Sequence, residues 1–553
     1  MESADLTSIR GRDYPLYAME GIDSVVFRKE CRGAQKSKSL YPIVIFLKIT
    51  TIFLAVFSIS IVFRSDYKVA NRPLTDDGYY AITVTKNIAS GKGITIDGET
   101  RTNGFQPLFT MLSTPAFFLA KGDRYLALRF ILFLHWLFFL LTASLLGLIV
   151  KGTLNEYDKR IKSLAFWITL FLYLSAVSIF LTHFNGQETG FYLFILALTW
   201  RICQIINIGK FRNIILLAFF LGLCVLARID SVFLVIIISV AFLFRQELRI
   251  SYRIRAAFLT STVAFVVSLP WWLYNWVHFH SILPSSAKAQ QAWLISGERV
   301  KGAINAICQD LLPHFYSSHY ARDIVNALRI GLCVAIGIAF IWISRKKLLI
   351  KIVPKIIGKT SSANRFAGYL MLFVLFLIIW YTTSSWAAHS YCRYFSILFL
   401  LAIPIFTEIF MWAYLRFKKI IYFLLIAFLI PIIIVIVSLH TGKGFFGNIL
   451  FTEQLALVEE NTNYDDIVSS GQSGTLGYFR DNVINLDGKV NAEALAFQDH
   501  MWDYLQKREI SWLCDTEMYI KRYLGNNPNN KRWIKAAQKG SFTLYHYRKA
   551  SQE

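Results

Sequence analysis

Stretches of about 20 apolar residues recur along this chain, too long and too many for a soluble core to bury. The first covers about 42–63 and the next about 126–150, and 55% of the 553 residues are hydrophobic. A bilayer gives the backbone no water to bond with, so segments of this kind cross it as α-helices. The chain is expected to be a polytopic α-helical membrane protein.

Charge orients it. Lys and Arg number 58 against 35 Asp and Glu, a net charge of +23. In a soluble protein that excess would suggest a nucleic-acid partner. Here the basic residues gather in short connectors between apolar runs, which is the positive-inside pattern, and no nucleic acid is expected. They stand at Lys151, Lys159, Arg160 and Lys162, at Arg201, Lys210 and Arg212, at Arg245 to Arg255, through 345–359, and at Arg416, Lys418 and Lys419. The connectors near 183–190 and 383–390 carry no Lys or Arg. Pro107 to Lys121 is apolar but short and reads as an interfacial helix; if it crossed, every basic connector downstream would move outside. The expected topology is about 11 spans with the N-terminus inside and the C-terminal region outside. Residues 1–41 are polar and basic, read as a cytoplasmic tail without a cleavable signal peptide. Seven cysteines lie scattered without CxxC pairs, so neither a zinc site nor a disulfide framework is inferred.

Residues 42–439 therefore form a transmembrane module with a first outer loop at 64–125 and a second at 274–322. From 440 the character changes. Apolar runs are short around Asp466-Ile467-Val468-Ser469 and Asn482-Val483-Ile484-Asn485-Leu486, which read as strands, and 491–507 reads as a helix. Residues 440–553, about 100 residues, suffice for an extracytoplasmic α/β domain with its own core.

The groups with chemical potential fall on the outer side. Asp76 and Asp77 stand between Thr75, a suitable N-cap, and Gly91, a suitable helix stop. The helix dipole favours both carboxylates ionised, which suits a base or a metal ligand; a solvated helix start is the plainer alternative. In the connector Thr182 to Gly190, His183 and Glu188 suit a metal or an acceptor as well as a polar turn. Arg228 and Asp230 read first as a buried ion pair, with Arg228 also able to face an anion. Lys288, beside Ser285 and Ser286, suits a phosphate or plain solvation. Arg393 is outward-facing basic charge, apt for a phosphate at the interface or for snorkelling to headgroups. Tyr79, Tyr80, Phe105, Trp271, Trp272 and Trp276 suit sugar rings or an interfacial aromatic belt.

The run Asp76-Asp77-Gly78-Tyr79-Tyr80, continued through Lys86 to Gly93 and by Thr102-Asn103-Gly104-Phe105-Gln106-Pro107-Leu108, resembles the first outer loop of bacterial GT-C membrane glycosyltransferases. Those enzymes use polyprenyl-phosphate sugars, and their relatives include protein O-mannosyltransferases, aminoarabinose transferases and arabinofuranosyltransferases. Asn185-Gly186-Gln187-Glu188-Thr189, Leu226 to Asp230, Leu283 to Lys288 and Arg393-Tyr394-Phe395 are similar too. Gly474 to Phe479 and Asn485 to Asn491 look like the tail domain of one bacterial subgroup. Gln106 departs from the pattern where a His is usual, as do Ser285 and Ser286 where Asn-Thr is usual.

The resemblance implies a GT-C-like fold in a bacterial cytoplasmic membrane. It implies transfer of one sugar from a polyprenyl-phosphate donor to a hydroxyl of a glycan or protein acceptor on the outer face, with inversion. Asp76 or Asp77 would be the base, Lys288, Arg393 and Arg228 would hold the donor phosphate, and Glu188, His183, Asn103, Tyr80 and Gln106 would line the acceptor side. Some relatives bind a divalent metal through such acids; Asp76 and Asp77 would be its ligands here. A lipid-linked sugar flippase would share the spans and the phosphate contacts, but no inverted repeat or mid-span acid pair favours it.

Overall fold

The computed structural model describes residues 40–154, 157–316, 322–345, 362–442, 450–525 and 532–548. The basic N-terminal segment up to residue 39 and most of the basic connector 345–359 lie outside them.

Among the described residues, six helices are long and apolar enough to cross a membrane: Tyr41–Phe63, Arg124–Thr153, Ile250–Phe279, Arg365–Ser384, Ile397–Tyr414 and Ile421–Thr441. Lys159–Ser175 and Val177–Phe184, bent by 65° at their junction, count as a seventh if the pair is one broken span rather than a re-entrant loop. At the bend Ser178 N–H donates out of the helix to Pro313 O at 3.0 Å, so that backbone donor is satisfied across the break. Thr189–Ile205, Phe211–Ala227 and Ile229–Leu243 are apolar but shorter. A 17-residue helix reaches about 26 Å, just under the ~30 Å hydrocarbon layer. About 11 spans are reached only if these three and the helix Arg322–Arg345 cross as well. Pro107–Ala120 has 14 residues and leaves Met111, Leu112, Phe118 and Leu119 exposed. That length fits a helix lying at the interface.

The bundle core is dominated by Leu132, Phe139, Leu146, Phe171, Phe180 and Phe184, all fully buried. Ile49, Ile52 and Val56 on the first helix, and Phe258, Phe265 and Val266 on the helix Ile250–Phe279, are exposed apolar side chains. Such residues need lipid around them.

The tail forms a five-stranded sheet in the order β2-β1-β3-β5-β4. β1 (Val468–Ser470), β2 (Val483–Asn485) and β3 (Trp512–Thr516) are parallel; β4 (Trp533–Lys539) and β5 (Phe542–Tyr547) form an antiparallel hairpin against β3. Both expected strands are present. The expected helix at 491–507 is broken into Ala492–Ala496, a 3-10 turn at Gln498–His500, and Met501–Lys507. Gln498 Nε2 donates to Asp487 O at 2.9 Å and Phe497 packs on Tyr504, contacts that draw the chain out of helical register. Leu486, Leu513, Tyr504 and Ile520 form the core on one face of the sheet.

In open sheets of this type, ligands sit at the carboxyl ends of parallel strands. Here the loops leaving β1 and β2 at those ends press against the first outer loop. Tyr478 packs on Tyr79 at 5.2 Å and donates its hydroxyl proton to Arg124 O at 2.6 Å. Lys86 Nζ donates to Tyr478 O at 3.0 Å.

Candidate active site

Thr75 Oγ1 accepts the Gly78 N–H at 3.2 Å and opens the helix Asp76–Ala89, placing both acids in its first turn. They then diverge. Asp76 turns inward, is 9% exposed, and accepts Thr475 N–H at Oδ1 at 2.8 Å. A Cβ on Gly474 would lie 2.0 Å from Asp76 O, so this approach of the tail backbone requires glycine. Asp77 turns outward with its side chain 30% exposed, and Lys489 Nζ lies 3.2 Å from its Oδ1. The same ammonium is 3.6 Å from Asp487 Oδ2. One turn on, Tyr80 donates to Gly471 O at 2.9 Å, its hydroxyl 3.3 Å from Asp487 Oδ2.

The expectation that the helix dipole ionises both acids holds for one of them. Burial pushes the Asp76 carboxyl up from 3.8 to about 7, against the Thr475 and Gly474 N–H groups that favour its ionised form; the neighbouring Asp77 raises it further. Removal from water outweighs the dipole. Burial also acts to raise Asp77, but Lys489, then Arg393, and His389 more weakly, overcome it and hold the carboxyl below the usual range. One carboxyl is thus near neutrality and the other firmly ionised.

A stability consequence follows for Asp76. Its folded-state pKa lies above its unfolded value. From about pH 4 to 7 the native state therefore keeps a proton that the unfolded chain has lost. Stability falls as pH rises through that window. Asp76→Asn keeps the acceptor oxygen and removes the titration. Its thermal midpoint at pH 8 should exceed wild type by roughly 1 to 3 °C, with little difference at pH 4. Scanning fluorimetry at both pH values checks this; an Asn variant less stable at pH 8 would mean the native site needs the charged form.

Beneath the acids lies a neutral network of two carboxylates and two guanidiniums. Glu188 was expected to meet a metal or an acceptor, or to sit in a polar turn; it makes no side-chain cap bond to the helix that follows. Instead Arg393 Nη2 grips it at 2.8 and 2.9 Å, and Arg228 Nη1 lies 3.5 Å from it. Arg228 Nη2 pairs with Asp230 at 2.5 Å, and Tyr381 donates to the same carboxylate oxygen at 3.0 Å. Arg228 lies over the rings of Tyr192 and Tyr394. Being 2% exposed and held on two sides, it offers nothing to a phosphate directly; the buried-ion-pair alternative is the one realised. Arg393 is 24% exposed, and its Nη1 has no hydrogen-bond partner among the described residues, so it can take an anion from outside.

Three of the expected acceptor residues serve the framework instead. His183 is fully buried in the bundle, bonded through Nε2 to Tyr173 at 2.8 Å and packed on Phe139. Gln106 Oε1 accepts Ile229 N–H at 3.2 Å, tying the first outer loop beneath Arg228. Asn103 bonds Asn275 Oδ1 at 2.7 Å and accepts Ser285 N–H at 3.0 Å. Their polarity marked them for chemistry, but sequence cannot distinguish a reacting amide from a buried one holding two loops. Lys288 is exposed, and its ammonium has no partner among the described residues. No group of three or more His, Cys, Asp or Glu among the described residues is disposed to hold a metal ion.

With this geometry in view, the solved structures to which the fold can be compared include ArnT from Cupriavidus metallidurans bound to undecaprenyl phosphate. The TM-score is 0.50 at 11% identity, over 92% of this chain and 98% of that one. The chain is similar in fold to ArnT. The apo state of the same protein gives a TM-score of 0.50 at 11% identity, over 91% and 97%. The Archaeoglobus fulgidus oligosaccharyltransferase in complex with Zn and sulfate gives 0.44 at 12%, over 90% and 73%. No protein-family model matches the chain, and no curated protein matches it in sequence. The GT-C-like architecture implied by the motifs, a polytopic helical module with a C-terminal α/β domain, is the fold observed.

Two site residues escaped functional assignment from sequence: Asp487 and Lys489. The available signal was an Asp-Gly-Lys turn leaving a strand of an α/β domain, at the edge where such sheets place ligands.

Proposed function

We propose that the protein is a membrane glycosyltransferase that moves one sugar from a polyprenyl-phosphate donor to an acceptor hydroxyl. The observation that carries this is Asp77: an ionised, half-buried carboxylate at the mouth of the bundle, within the field of Arg393 and His389. A base for an alcohol and a cation for a departing phosphate thus stand within each other's field. The ArnT structure contained undecaprenyl phosphate, a lipid of the kind this donor needs.

In the proposed step the acceptor oxygen attacks the anomeric carbon while its proton passes to Asp77. The bond from that carbon to the phosphate oxygen breaks with inversion, and polyprenyl phosphate leaves carrying the bonding electrons. Arg393 and Lys288 take up its charge. Arg228 positions Arg393 through their shared carboxylate, Glu188. Asp76 and Tyr80 fasten the tail domain over the acids and shape the acceptor side. The acceptor is a cell-envelope glycan, a lipid-linked glycan or a protein.

In this proposal the reaction runs on the outer face of a bacterial cytoplasmic membrane, on the same side as the tail. Vesicles of defined orientation test the placement. Added protease should remove the tail only from right-side-out vesicles, and water-soluble acceptor should be glycosylated only there. Tail cleavage or transfer confined to inverted vesicles would overturn it.

A further inference from the structure

The family's occasional divalent metal does not fit the site as built. A metal held by Asp77 and Asp487 would need the space that the Lys489 ammonium occupies, 3.2 Å from one and 3.6 Å from the other. Asp76, the remaining acid, is turned inward onto the tail backbone.

Lys489 is also aimed. Asp487 Oδ1 accepts the Lys489 N–H at 2.8 Å across a turn with Gly488 at its centre. Ser285 Oγ, from the second outer loop, donates to Lys489 O at 2.8 Å, while Asn103 Oδ1, from the first, accepts Ser285 N–H at 3.0 Å. Gly104 lies against the same carbonyl so tightly that a Cβ there would come within 1.9 Å of Lys489 O. Three separate segments therefore fix one lysine backbone, with its side chain 19% exposed beside Asp77. A solvated surface lysine has no need of such anchoring.

We infer that Lys489 is the built-in cation of this site: supplied by the tail domain, it neutralises Asp77 and Asp487 in the position a divalent metal would otherwise occupy, and makes transfer independent of metal. Two carboxylates flank the ammonium at 3.2 and 3.6 Å, so its charge is met within the site. With an ammonium between them, Asp77 and Asp487 need no second counter-ion. Without it, two carboxylates would stand close together with no cation between them, and one would be drawn in.

This deepens the transferase reading and rests on it only for the activity arm of the test. The other arm uses Mn²⁺ as probe, followed by electron paramagnetic resonance on the purified full-length protein. Wild type should show no bound Mn²⁺ that depends on Asp77, whereas Lys489→Ala should gain such a signal and lose it again in Lys489→Ala/Asp77→Asn. In the activity arm, wild type should keep full transfer in a chelator. Lys489→Ala should lose about 100-fold in kcat, recover in part with Mn²⁺ or methylammonium, and be surpassed by Lys489→Arg. The inference is overturned by a Mn²⁺ ion in wild type that Asp77→Asn removes, by chelator loss that Mn²⁺ restores, or by Lys489→Ala at wild-type rate. If no donor supports transfer in wild type, the transferase proposal fails, and the resonance arm still decides the fate of Lys489. Should Lys489→Ala not fold, the wild-type and Lys489→Arg measurements remain decisive.

Discussion

Asp77→Asn should reduce kcat for glycosyl transfer by about 10³-fold, in the range expected for loss of a general base. The amide keeps the size of the side chain but cannot accept the acceptor's proton. It also leaves Lys489 paired with Asp487 at 3.6 Å, so the tail should stay docked and the protein should express normally. Asp76→Asn should do far less, since Asn preserves the acceptor for Thr475 N–H and the carboxyl is turned onto the tail backbone. Single-turnover rates of the two variants, measured beside tail protection from protease, separate the roles. A silent Asp77→Asn with an inactive Asp76→Asn would reverse the assignment and make the inward carboxyl, held near neutrality, the base.

Arg393→Ala is expected to weaken use of the donor by about 100-fold in kcat/KM while changing the acceptor KM little. Its guanidinium is the more exposed of the two in the buried network, with the side chain 24% exposed against 3% for Arg228. Removing it also leaves Glu188, 6% exposed, with Arg228 alone at 3.5 Å. An under-compensated buried carboxylate destabilises by roughly 3 kcal/mol. Arg393→Ala/Glu188→Gln removes that charge and should regain stability without regaining donor use. Arg393→Lys should fall between, because an ammonium carries the charge but cannot grip Glu188 with two N–H groups. Steady-state kinetics with each substrate varied would settle it: a changed acceptor KM alone, or donor use restored in the double variant, would count against Arg393 as the phosphate ligand.

Much of this was legible in the chain. Apolar runs identified the helices, and Thr75 fixed the start of the helix that carries the acids. The short strands of the tail follow from Val468 and Ile484 in interrupted apolar runs. Tertiary partnership was not legible. Arg228, Gln106, Asn103 and His183 are polar residues on the outer side of the sequence map, yet each faces a partner inside the fold. Nothing local distinguishes a guanidinium that meets a ligand from one enclosed by Asp230 and Glu188. The opposed fates of Asp76 and Asp77 were equally hidden. They are consecutive in a helix and so point about 100° apart, one beneath the tail and one toward Lys489. Which is which depends on a domain that begins more than 350 residues later. That same domain brings Lys489 to the site, a contact no periodicity encodes.

The most direct test of the proposed chemistry is transfer of radiolabelled sugar from a panel of synthetic polyprenyl-phosphate sugars, with purified wild-type protein and acceptors extracted from membranes. The account predicts that label from at least one donor moves onto an acceptor and that free polyprenyl phosphate appears in equal amount. Intact labelled donor at the end of the reaction for every sugar tried, with folded protein that moves those same lipids between leaflets, would contradict it and identify a transporter instead.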